Sequence, residues 1–441
     1  MTEKNNSKSR ILAVARAFAV VVGALIMFSA PGVANAADAE NSIIVSVQDQ
    51  ANNNGVSEKK PVTGVKVSVS NSAGLAIGEG VTDSAGLATI PVPAKDDYVV
   101  TLDVVSLPSG VTLVEGTKTV VNIVKDSFTT NSKRVTFFAG SVGESGASLF
   151  DRVAQRLVDG IRLGLIIAIC SVGLSLIFGT TGLTNFAHGE MVTFGGLIAF
   201  WFNVLLGIPL LIAAPLVIAL GGVLGLAMNG FIFAKLRKRG IGLISQLVVS
   251  VGLSIMLRNM YLYQFGGRTK PLNDYSAQTV MRFGPASITP RDLTTAILSL
   301  LVLVAVALFI QKSRTGKAIR AVSDNPTLAS STGIDTQRII RIVWFAGGAL
   351  AALGGIFRGL DEQVGFEMGS RLVFLMFAAI TLGGLGSAFG ALVGGIMVGI
   401  FVEMASLVVP SELKNAPALL ILIVVLVLRP QGILGRKQRV G

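Results

Sequence analysis

The sequence predicts a multidomain protein: a small all-β sandwich outside the cytoplasm, followed by a polytopic α-helical membrane bundle of about nine spans with room for a re-entrant segment. Three observations predict it. Hydrophobic residues make up 51% of the 441 residues, charged residues only 14%, and mean hydropathy is +0.70, whereas soluble domains carry roughly a quarter charged residues. From about Leu149 onward, apolar runs long enough to cross ~30 Å of hydrocarbon follow one another. Between about Ser42 and Ala139 the pattern is instead short Val/Thr/Ile alternation broken by Gly, Pro, Asn and Asp, the period of half-buried strands. Together these exclude a soluble single-domain enzyme and a disordered chain. The lone Cys170 excludes an intrachain disulfide framework.

Residues 1–36 read as a signal peptide. Lys4, Lys8, Arg10 and Arg16 form a basic start, Ala17 to Phe28 an apolar stretch, and Ala34-Asn35-Ala36 a small-residue cleavage site; an uncleaved signal anchor is the alternative. Residues 37–140 are expected to form the extracytoplasmic β-module. In Val65-Lys66-Val67-Ser68-Val69 and Tyr98-Val99-Val100-Thr101-Leu102 every second residue suits a core. Between such runs, Thr82-Asp83-Ser84-Ala85-Gly86 reads as a tight turn, with Asp83 bonding the backbone ahead and Gly86 free to take positive φ. Residues 141–150 are a Gly/Ser-bearing linker.

Residues 151–441 form the transmembrane domain, with spans expected near 161–179, 190–206, 208–232, 242–263, 292–311, 339–358, 372–386, 388–409 and 416–429. The formal charge of +12 would suggest nucleic acid in a soluble protein. Here the cations sit in short clusters between apolar runs, so membrane orientation accounts for them and no nucleic-acid partner is expected. Lys235 to Arg239, Lys312 to Arg320, Arg338 with Arg341, and Arg429 to Arg439 all fall on the cytoplasmic side if the N-terminus is exported and nine spans follow. Asp361, Glu362 and Glu367 then fall outside.

Three stretches within this domain stand out. Gly386, Gly390 and Gly394 make a four-residue ladder, repeated by Gly395/Gly399 and Gly221/Gly225, which lets helices approach closely either within one bundle or between two chains. Gly179 to Glu190 places Asn185, Phe186, His188, Gly189 and Glu190 between two apolar runs, where polar groups are costly and face a cavity or the bundle interior. These groups either cap a helix break beside a pathway or relay protons through His188 and Glu190. A metal site would need more than one His and one Glu, and with a single His and a single Cys in the chain too few ligands are available. The third stretch joins two spans: Asp324 or Asn325 suits an N-cap, Pro326 the first helical position and Gly333 the stop, which predicts a helix of about two turns. So short a helix needs something to pack on. Catalytic motifs are missing, including G-x-x-x-x-G-K-[ST], G-x-S-x-G and H-E-x-x-H, so no enzymatic activity and no cofactor are expected.

Residues from about 155 to 436 resemble the LivH-type permeases of ATP-binding-cassette importers for branched-chain amino acids, a family that includes urea and short-chain amide permeases. The resemblance rests on Phe178 to Glu190, on Gly316 to Val322 continuing through Gly333-Ile334-Asp335, and on Gly383 to Ser387 with Arg429 to Gly435. It implies that Asp324, Asn325, Pro326, Ala329, Gly333, Ile334 and Asp335 belong to a coupling helix that docks on an ATPase. It further implies a LivM-like second permease subunit, ABC ATPase subunits that hydrolyse ATP on separate chains, and an extracytoplasmic substrate-binding protein. Pro61 to Val67, Thr82 to Ala88 and Tyr98 to Val100 resemble prealbumin-like or carboxypeptidase-regulatory-like sandwich modules, an addition the usual short permease lacks.

Overall fold

The computed structural model describes residues 41–53, 56–72, 74–108, 119–124, 132–139, 148–272, 281–409, 413, 416–428 and 432–433. The signal peptide, most of the linker and Arg429 to Gln431 lie outside the described residues. The chain divides into two units, Gly32–Arg152 and Val153–Gly441 with Met1–Pro31.

In the first unit, β1 (Asn41–Asn53) pairs antiparallel with β5 (Leu87–Val92) along one half and with β2 (Val56–Pro61) along the other. Its opposite edge takes β8 (Ser132–Ala139) in parallel. A second sheet runs β4 (Ala76–Val81), β3 (Lys66–Asn71), β6 (Tyr98–Leu102), β7 (Val120–Ile123). The alternation read from sequence is realised side chain by side chain. Val65, Val67 and Val69 are buried with Tyr98, Val100 and Leu102 against Ile43, Val45, Ile90 and Phe137. Asp83 Oδ1 accepts from the amides of Ala85 and Leu87 at 2.8 and 2.9 Å, and Gly86 takes φ +70, so the expected turn forms. The parallel β1–β8 pair was not expected, because nothing local in either strand specifies a partner so far away in the chain.

In the second unit all nine apolar segments fold as helices. The bundle comprises α1 (Leu149–Thr181), α2 (His188–Phe200, prolonged by a π turn Trp201–Leu205), α3 (Leu210–Lys238, with a π turn at Asn229–Phe233) and α4 (Leu243–Phe265). A hairpin of β9 (Met281–Phe283) and β10 (Ala286–Ile288) then leads to α5 (Pro290–Lys312), α6 (Arg314–Asp324), α7 (Pro326–Ser331) and α8 (Thr336–Glu362). Last come α9 (Met368–Gly383), α10 (Ala388–Ala405) and α11 (Ala416–Leu428). Among the described residues six of these helices, α1, α3, α4, α5, α8 and α10, are long and apolar enough to cross a membrane. The remaining three apolar helices are shorter.

Glycines set how the helices meet. Gly160 and Gly164 of α1 lie against Ile400 and Ile396 of α10, while Gly221 and Gly225 of α3 lie against Gly348 and Trp344 of α8. Each pair runs antiparallel, with backbones so close that a Cβ would collide. Gly390 and Gly394 lie on α10 and touch Gly383 and Ala379 of α9. Gly386 corrects the expected ladder. It sits outside the helix with φ +79, because the chain must turn between α9 and α10, and it packs on Gly179 instead.

The bundle has two chemically distinct ends. At one, Arg162 of α1 bridges Asp292 of α5 at 2.7 Å and Asp361 of α8 at 2.8 Å, Arg358 pairs with Asp361 and Glu362, and Arg156 pairs with Glu403 of α10. The opposite end carries Lys235 to Lys238 closing α3, Lys312 closing α5, Arg314 to Arg320 on α6, and Arg338 and Arg341 opening α8.

Candidate functional site

A break in the bundle opens where α1 ends. Gly182 takes φ +68, and residues 183–187 run back without helical structure until α2 starts at His188. Contacts mark the climb. Gly182 lies against Leu243, the first residue of α4. The Phe186 amide donates to Ser250 Oγ at 3.1 Å, and His188 Nε2 donates to the Cys170 carbonyl at 3.1 Å. Cys170 lies about three turns, or ~16 Å, before the end of α1, so α2 starts deep inside the bundle. Every residue of α2 from His188 to Phe200 is buried; non-helical backbone at such depth is tolerated where protein surrounds it.

The five residues singled out from sequence converge here, each with its own partners. Asn185 Oδ1 accepts from the Ala187 amide at 3.1 Å, closing the turn before α2. The Phe186 ring packs on Phe377 and Phe374 of α9, with centroids 4.7 and 6.4 Å away. Gly189 meets Gly369, the second residue of α9, so closely that the two helix starts touch backbone to backbone, and Thr193 Oγ1 accepts from the Gly369 amide at 3.1 Å. Glu190 Oε1 accepts from Ser254 of α4 at 3.0 Å and from Ser370 of α9 at 2.8 Å, while Tyr261 donates to the Glu190 carbonyl at 3.2 Å. A carboxylate in the first turn of α2 also suits the partial positive charge of that helix start. No hydrogen bond joins His188 to Glu190 among the described residues. Each of them instead caps or cross-links the break through its own partners. Glu190 Oε2, His188 Nδ1 and Asn185 Nδ2 stay buried without a hydrogen-bond partner, and no three His, Cys, Asp or Glu side chains gather as metal ligands among the described residues.

Sequence reasoning missed the other half of this site. Gln246, Ser250, Ser254 and Arg258 stand four residues apart on α4. Spacing of four keeps side chains on one helix face, so this polar row runs along the break: Ser250 holds Phe186, Ser254 holds Glu190, and Arg258 reaches a cavity of about 290 Å³ lined also by Ser370 and Phe374. The signal was present as four polar residues in register within an apolar span.

At the basic end, α7 forms as its caps dictate. Asn325, not Asp324, is the N-cap, its side chain accepting from the Leu328 amide at 3.0 Å, with Pro326 next. Asp324 instead closes α6. Gly333 takes φ +87, the Ile334 amide bonds the Ala329 carbonyl at 3.1 Å, and Asp335 caps α8 through the Arg338 amide at 2.9 Å. Ala329 is buried in the bundle's own apolar core, whereas Leu328 beside it is 62% exposed. α6, an amphipathic helix with Ile319 and Val322 inward, was not anticipated, although Ser313 caps it through the Gly316 amide at 2.8 Å.

Residues 156–428 match the family described as branched-chain amino acid transport system / permease component. The chain is 33% identical over 303 residues to the high-affinity branched-chain amino acid transport system permease protein LivH of Escherichia coli K12, an alignment covering 64% of this chain and 96% of that protein. It is 30% identical over 302 residues to the corresponding permease BraD of Pseudomonas aeruginosa, with the same two shares covered. Over 243 residues it is 26% identical to the ribose import permease RbsC of Escherichia coli K12, covering 53% of this chain and 72% of that one. The matched range holds the break, the α4 row and α7; the β-module lies outside it.

Proposed function

The chain belongs to the permease-component family of branched-chain amino acid transport systems, and we propose that it is the membrane-spanning subunit of an ABC importer for branched-chain and other hydrophobic amino acids. The protein itself hydrolyses nothing. ATPase subunits on the cytoplasmic face drive it through α7, and substrate passes along the break at Asn185 to Glu190, between α2, α4 and α9. All nine apolar helices contribute crossings in the cell membrane. The basic end then lies in the cytoplasm and the end with Asp361, Glu362 and Glu367 outside, on the side of the membrane to which the signal peptide exports the β-module and on which a substrate-binding protein works. A LivM-like second permease covers the outer face of α4, where Ser245, Gly252 and Asn259 are exposed at seven-residue spacing. Small and polar residues on a membrane helix favour another helix over lipid.

The observation that carries this reading is α7 itself: six residues at the basic end, anchored inward by Ala329 and presenting Leu328 outward. An isolated helix this short has little stability of its own, and its outward apolar residue suits a partner protein. The test is recovery of ATPase subunits with the tagged full-length chain from membranes of cells carrying its partners. Leu328→Asp is expected to cut that recovery at least about tenfold at normal permease yield. Full recovery with Leu328→Asp would contradict the coupling role, while Ala329→Asp, which buries a charge, is expected to lower the yield itself.

A further inference from the structure

We propose that the cavity between α4, α9 and α11 binds a zwitterionic amino acid with an apolar side chain, Arg258 holding the carboxylate. This deepens the permease reading and rests on it. Arg258 lies two turns inside the end of α4, a candidate membrane span. Among the described residues its guanidinium makes no direct hydrogen bond or ion pair, and the Glu190 carboxylate acts on it through space only. An ionisable side chain at membrane depth is expensive and is normally paired or faces a polar pathway. Arg258 faces a cavity of about 290 Å³, at the small end of ligand pockets and large enough for a single amino acid.

The walls divide by chemistry. Phe374 and Leu419 supply an apolar side. Ser370 links the cavity to a carboxylate behind it: its hydroxyl donates to Glu190 Oε1 at 2.8 Å, and Glu190 keeps a second oxygen buried and without a hydrogen-bond partner. The other cation of the lining, Arg371, is already paired with Glu367 at 3.1 Å. The N–H groups of Arg258 are therefore the ones open to a carboxylate in its two-pronged geometry. The ammonium group then lies toward Ser370 and Glu190, and the aliphatic chain against Phe374 and Leu419. Urea and simple amides, which carry no carboxylate, gain nothing from Arg258.

The experiment places a single reactive thiol in the cavity. Cys170 is the chain's only cysteine and is fully buried, so Leu419→Cys in the full-length protein, in membrane vesicles with its transport partners, reports on the cavity alone. Saturating leucine is expected to slow modification by a water-soluble maleimide at least about threefold, whereas leucinamide, lacking the carboxylate, does not. Arg258→Gln should abolish the protection and Arg258→Lys retain part of it. Equal protection by leucine and leucinamide, or protection undiminished in Arg258→Gln, overturns the proposal. Leucine uptake by the same Leu419→Cys vesicles without any protection removes this site while leaving the permease reading intact. Urea uptake with protection by urea overturns the permease reading's substrate and the site with it. If Arg258→Gln does not insert, Arg258→Lys and the leucine–leucinamide contrast still decide.

Discussion

Helices α4 and α5 are the two least buried of the six long apolar helices, yet their surfaces differ in kind. α4 is the least hydropathic of the six and α5 the most. Toward the bundle α4 turns Gln246, Ser250 and Ser254, and outward it shows Ser245, Gly252 and Asn259 among its apolar residues. The outward face of α5 is Ile297, Leu300, Leu301, Val304 and Leu308. Exposure in a single chain therefore does not identify the lipid face; the residues exposed do. A helix that costs more to leave in lipid than its neighbour, and is exposed all the same, is waiting for protein or for a pathway.

The largest effect is expected where the starts of α2 and α9 meet, beside the Glu190 that the α4 row holds. A Cβ at Gly369 would fall on the Gly189 carbonyl oxygen, so Gly369→Leu should yield no stable protein; monodisperse protein at normal yield would mean the two helix starts need not touch. Ser250→Ala leaves the half-buried Phe186 amide without its acceptor, at a cost of about 1 kcal/mol, which a thermal-shift measurement on the purified protein reads as a drop. On α5, Val304→Ala should change stability by no more than about 0.5 kcal/mol, as for surface positions away from special contacts. A drop as large as that of Ser250→Ala would show that α5 is covered by protein too.

How much of this was legible depends on how local the cause is. The module's alternating valines and the Asp83–Gly86 turn need only neighbouring residues, and both appear where the sequence places them. The same holds for the cap at Asn325 and the stop at Gly333, whereas the Asp335 cap of α8 was not anticipated. The cluster at Asn185 to Glu190 was legible as a break, because polar residues between apolar runs are conspicuous. Its partners were not, since Ser254 and Ser370 come from distant helices and a hydroxyl in an apolar run carries no mark of what it faces. Gly386 shows the opposite error: four-residue spacing suggested a helical ladder, but the φ +79 turn that ends α9 interrupts it. Ala329 shows a third kind, since the sequence named the helix but not which of its residues faces out.

In the proposed assembly this chain is one half of a permease pair joined along α4. A photoreactive amino acid placed at Gly252 or Asn259, and for comparison at Leu301 or Val304, tests it in native membranes. Adducts to a second permease chain are expected from α4, and lipid adducts only from α5. Lipid adducts alone from both α4 positions, with the transporter still active, would contradict that pairing.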